Sequence, residues 1–154
     1  DVKTRYAVAT DFVEERSTEN IKKVLTHIKD KSDSVEIVTT DGLMVYPDVI
    51  RKIYGFSNKT HKVNVEHNQV NASAGEGFNI MIERLHNNIR QRTKTFRGFN
   101  GKIESANSIM KGYEIYYNFI TKHQALNKCP YELATNLKFN SENKWLELIQ
   151  LSKQ

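Results

Sequence analysis

Apolar and polar positions divide the chain into a short series of elements. Residues 6–12 (YAVATDF) alternate small apolar with polar side chains, and the alternation predicts a strand. Ser17 and Thr18 are helix-start residues with an acid in the following turn. Ile21, Val24, Leu25 and Ile28 then recur at helical spacing, with lysines on the other face. A polar turn at 29–34 leads to a β-branched run at 35–39 (VEIVT), a predicted strand that Asp41-Gly42 punctuates. Pro47 suits the first turn of a short helix over 47–54, and Gly55 suits its end. Residues 56–77 are polar and rich in Asn. They read as a long loop with room for one short strand at 62–65. Two long helices follow, at 79–95 and 104–121. The first carries Ile82, Leu85 and Ile89 as its apolar stripe; the second turns Ile109, Tyr113, Tyr116, Tyr117 and Ile120 inward. Pro130 opens a last turn through Ala134. Residues 135–154 form a polar tail with one apolar cluster at Trp145, Leu146, Leu148 and Ile149. The order of strands and helices predicts an α/β chain. Two clear strands are too few for a stable sheet of that class, so either something is missing or a partner supplies it.

Composition narrows the options. A chain of 154 residues is one domain, or one domain with an appendage. A single cysteine, Cys129, excludes a disulfide framework and a cysteine-based zinc site. No apolar run reaches the roughly 18 residues of a membrane span, and no charged-then-apolar leader opens the sequence, which starts at Asp1. The net charge of +5 is modest but unevenly placed. From Arg84 to Arg97 there are five cations, Arg84, Arg90, Arg92, Lys94 and Arg97, with no acid among them. That density points to a polyanion, above all the phosphates of nucleic acid. A membrane surface would want a broader apolar face than Leu85 and Ile89 provide.

Two acids stand where chemistry is plausible. Asp41 precedes glycine and on local grounds is a turn residue. It also closes a buried-looking strand, and strand ends are where α/β folds place ligands. Glu83 shares a helix face with Asn79, His86, Asn87, Arg90 and Lys94. A solvated face with intrahelical pairs explains this arrangement. So does one acid for a divalent metal beside cations for phosphates, because Mg²⁺ takes only one or two protein carboxylates. His86 and His123 are lone histidines, and Cys129 has no catalytic partner pattern. Gly75-Glu76-Gly77 lacks the rest of a phosphate loop, and the sequons at Asn58 and Asn71 are read as chance.

Residues 38–50 (VTTDGLMVYPDVI), 82–99 (IERLHNNIRQRTKTFRGF) and 116–134 (YYNFITKHQALNKCPYELA) together resemble the DDE transposases of small bacterial and archaeal insertion sequences. Residues 1–25 fit too: they resemble the family's D-x-x-T-R-x-x-x-A strand and the helix after it. The resemblance implies an RNase H-like, retroviral-integrase-like α/β fold over residues 1–134, with 135–154 as a C-terminal tail. It implies an Asp-Asp-Glu triad that holds two Mg²⁺ or Mn²⁺ ions and performs DNA cleavage and strand transfer. Asp41 falls on the second aspartate and Glu83 on the glutamate. Arg84, His86, Arg90, Arg92, Lys94 and Arg97 fall on the basic, DNA-contacting continuation of the catalytic helix.

Its partners would be transposon ends and target DNA, acting as a homodimer or larger assembly in the cytoplasm. The family's first aspartate has no counterpart here. Asp1 resembles the residue before T-R, Asp11 lies on the next strand, and Ile80 stands near the place of a family asparagine. The fold is therefore expected to lack its first strand and most of its second, and this chain alone is expected to be inactive. The alternative is a transposase remnant that only binds DNA.

Overall fold

The computed structural model describes residues 1–70, 80–94 and 101–153. It divides the chain into two compact units, one of Asp11–Ile103 and one joining Asp1–Thr10 to Glu104–Gln154.

The Asp11–Ile103 unit begins with helix α1, Thr18–Lys31. Ser17 caps it by accepting from the Asn20 amide at 3.2 Å, while Glu19 in the first turn and Lys29 and Lys31 in the last complement the helix dipole. Strand β1, Ile37–Thr40, starts two residues later than the β-branched run predicts. Helix α2, Tyr46–Tyr54, has Pro47 in its first turn. It ends at Gly55, whose φ of 82° is a left-handed conformation; a Cβ there would also come within 3.1 Å of Asn64 Nδ2. The polar stretch expected to be mostly loop is more ordered than that. Strands β2 (Phe56–Ser57) and β3 (Lys62–Val63) pair as a short antiparallel hairpin. Strand β4, Glu66–Gln69, pairs with β1 in parallel register, Ile37 opposite Glu66 and Thr40 opposite Gln69. Helix α3 follows at Ile80–Thr93, within the range its periodicity predicts.

Parallel partners need a crossover between them, and α2 lies in it. Val49 and Ile50 on α2 are essentially sealed from solvent and form one core with Ile21 and Leu25 of α1 and with Val65. At about 1.5–3 kcal/mol for each fully buried aliphatic side chain, these residues hold the unit together. A polar contact joins the paired strands: Thr40 Oγ1 lies 2.8 Å from His67 Nε2. The same hydroxyl also lies 3.1 Å from the Asp41 carbonyl. Burial holds the His67 imidazole below its ordinary pKa.

In the other unit, residues 6–10 form no strand among the described residues, contrary to their alternation. Side chains of a helix take the place of a neighbouring strand. The Ala7 N–H donates to Asn118 Oδ1 at 2.8 Å, and Asn118 Nδ2 donates back to the Ala7 carbonyl at 2.9 Å. Thr10 donates to Glu114 Oε2 at 2.5 Å and its carbonyl accepts from Lys111 Nζ at 2.8 Å. These partners belong to helix α4, Ile103–Ile115, and to the π-helical turn Tyr116–Ile120 that continues it. The two together span the predicted long helix. Its buried face differs from the expected one: Ala106, Met110 and Asn118 are buried, while Ile109 is 45% exposed. Phe119 packs edge-on against Tyr6 and stacks on Tyr131, with Phe139 completing the aromatic group. Helix α5, Tyr131–Ala134, and helix α6, Lys144–Leu151, end the chain, α6 capped by Asn143.

Two stability effects follow. Asn118→Ala strands a buried backbone N–H and C=O, and is expected to cost about 2–4 kcal/mol in urea unfolding. A loss under about 1 kcal/mol would show that the amide pair carries little. Below about pH 6.5 the unfolded chain takes up a proton that folded His67 resists, so stability falls as pH drops through that range. Melting temperature measured against pH should therefore slope less in His67→Gln.

Candidate functional site

Asp41 directly follows β1, at the C-terminal end of the parallel pair. Its local role and its position turn out to be compatible. Oδ1 accepts from the Leu43 amide at 3.3 Å, which makes the Asp41-Gly42 turn. Oδ2 accepts from Arg16 Nη2 at 3.0 Å. The same nitrogen donates to Tyr46 Oη, also at 3.0 Å. The ends of the two strands are tied around this point. The Val70 amide donates to the Thr40 carbonyl at 2.9 Å, and Gln69 Nε2 donates to the Leu43 carbonyl at 3.3 Å. Thr40 is buried at 7% exposure, whereas the Asp41 side chain is 53% exposed. A rigid strand end thus presents one accessible carboxylate.

Helix α3 carries the other site residues. Glu83 lies in its first turn, where a carboxylate suits the helix dipole. Leu85 and Ile89 are half-buried as their spacing predicts, but Met81 joins them in place of Ile82, which is 40% exposed; Glu83, Arg84, His86, Arg90, Arg92 and Lys94 are exposed. Glu83, His86, Asn87 and Arg90 share one exposed face of α3, whereas Arg92 stands at i+7 from Leu85, on the other side. His86 is pushed below its ordinary pKa by partial burial first, then by the charges of Arg90 and Arg16, with Glu83 opposing. Arg97 lies outside the described residues.

Arg16 is bonded to Asp41, and its charge reaches His86 on the helix that bears Glu83. Neither Arg16 nor the Thr40–His67 pair was legible beforehand. Arg16 sits in an acidic segment, beside Glu14 and Glu15, and meets its partner across 25 residues of sequence. No local pattern signals such a contact. Among the described residues, no three His, Cys, Asp or Glu side chains are grouped to share a metal ion. Among them, too, no helix is long and apolar enough to cross a membrane.

Comparison with known proteins supplies what the geometry leaves open. Residues 1–124 match the DDE domain of insertion-sequence transposases. No curated protein and no solved structure matches the chain. The mixed α/β architecture with small sheets fits such a domain. The match spans well over half of the sequence, from Asp1 through the π-helical turn and beyond, so the chain belongs to the DDE transposase family of insertion sequences.

Proposed function

We propose that this chain carries the catalytic domain of a transposase with an RNase H-like fold, which cleaves and joins DNA strands by metal-dependent phosphoryl transfer. One observation carries the reading: the family match runs through an accessible aspartate placed at the C-terminal end of a parallel strand. In this reading Asp41 and Glu83 are two of the three catalytic carboxylates. Residues 1–134 form the catalytic domain, and 135–154 extend it.

DDE transposases generally use divalent metal ions. The donor set suits Mg²⁺ or Mn²⁺: both candidate ligands are exposed carboxylates, hard oxygen donors of the kind these ions take one or two at a time. Asp41 retains lone pairs beyond its bonds to Arg16 and Leu43. When bound, two such ions supply Lewis-acid charge at the scissile phosphorus of an in-line displacement. The chain itself holds and orients. The Asp41-Gly42 turn fixes one carboxylate against the strand end. Helix α3 presents Glu83 on the same face as Arg90, with Arg84 and Arg92 elsewhere on the helix and Lys94 just past its end; these cations, and Arg97 further along the sequence, would bind phosphates. His86, on the same face as Glu83, would offer a hydrogen bond to DNA. Joining two transposon ends to one target calls for at least a dimer.

In a strand-transfer assay with the full-length protein, Asp41→Ala or Glu83→Ala should abolish metal-dependent joining while DNA binding persists. Full activity in either variant would sink the assignment. Binding that is salt-sensitive and metal-independent, with no joined product from the unaltered protein, would favour a remnant that only binds DNA. Neutralising Arg90, Arg92 and Lys94 together should weaken binding to all sequences alike. It should also reduce the salt slope by about 2.7, or 0.9 for each lost phosphate contact.

A further inference from the structure

Arg16 precedes Ser17, the residue that caps α1, so its backbone is anchored at the start of a packed helix. Its side chain spends little of what it has. Nη2 serves both Asp41 Oδ2 and Tyr46 Oη, and no other partner is shown for the guanidinium among the described residues. A guanidinium has five N–H donors. The side chain is 60% exposed, so the remaining donors lie within reach of solvent. Its charge also registers at His86 on α3. A planar cation with unspent donors therefore stands against the carboxylate.

Two physical consequences combine. A divalent cation bound through Asp41 Oδ2 would meet Arg16 at the same oxygen with the same sign of charge. An exposed ion pair is weak, so a doubly charged ion can displace it. The displaced guanidinium would remain tethered through Tyr46 Oη, and its fork matches the oxygens of a phosphodiester.

We propose that Arg16 competes with a divalent cation for Asp41, and that the guanidinium so released takes hold of a DNA phosphate beside the site. This inference rests on the reading of Asp41 as a metal ligand. Arg16 is a positioning residue in this scheme. It keeps the carboxylate oriented before the cation arrives and fixes the DNA afterwards.

The test uses the full chain and two probes. Mn²⁺ is first titrated calorimetrically without DNA. Arg16→Gln should bind Mn²⁺ about threefold to tenfold more tightly, because a competing positive charge is gone. Arg16→Lys keeps the charge and should stay within about twofold of the unaltered protein. A labelled DNA duplex is then titrated with Mn²⁺ present, over a range of salt. Arg16→Gln should weaken binding and lower the salt slope by about 0.9, whereas Arg16→Lys should weaken binding and keep the slope.

Asp41→Asn separates this inference from the reading beneath it. If Asp41→Asn lowers Mn²⁺ affinity but Arg16→Gln leaves it unchanged or weaker, competition is overturned and the metal ligand stands. If Asp41→Asn leaves Mn²⁺ affinity unchanged, both fail. A tighter Mn²⁺ site in Arg16→Gln with an unaltered DNA salt slope overturns the phosphate contact.

Discussion

Parallel pairing of β1 with β4 is the constraint on which the Asp11–Ile103 unit depends. Two strands that run the same way cannot be joined by a tight turn, so the chain must leave the sheet and return. Helix α2 lies in that excursion, and it buries Val49 and Ile50 against α1. The same crossover brings Thr40 and Gln69 side by side at the strand ends. Asp41 inherits its position from this arrangement. It is the first residue past the pairing and the first the core no longer covers.

The molecule uses two energetic regimes. Inside the core and around Asn118, groups are sealed from water, and each satisfied amide or buried aliphatic contributes on the order of a kilocalorie or more. At Asp41 and along α3 the charged groups are exposed, and solvent reduces their interactions to fractions of that. A rigid base carrying loosely held charges suits a surface that must exchange one ionic partner for another. A polyelectrolyte such as DNA binds mainly by such exchanges.

Much of this was legible in the sequence where apolar periodicity was strong. Helix α1 follows from Ile21 and Leu25, α2 from Pro47 and Gly55, and α3 from the spacing of Leu85 and Ile89. The polar strand β4 was not, because Glu66-His67-Asn68-Gln69 has neither β-branched residues nor apolar alternation. It forms because β1 offers backbone partners and His67 finds Thr40. Residues 6–10 erred the other way. Their alternation is real, but Asn118, Glu114 and Lys111 answer it in place of a strand. In the site, Asp41 could be singled out from its turn and strand, whereas Arg16 could not, since only tertiary structure brings the two together.

The π-helical turn gives a final consequence. Its closing bond runs from the Thr121 amide to the Tyr116 carbonyl, five residues back, so the helix that begins as α4 ends in a widened last turn. Each residue of helix turns the following side chains by about 100°. The register of everything after Tyr116, Asn118 and Phe119 included, is thus set by a count of residues and not only by their chemistry. Deleting one residue ahead of Asn118 would leave the clamp's amide in the chain yet rotate it out of reach of Ala7. Chain length in this short stretch is as much a determinant of the fold as any side chain it carries.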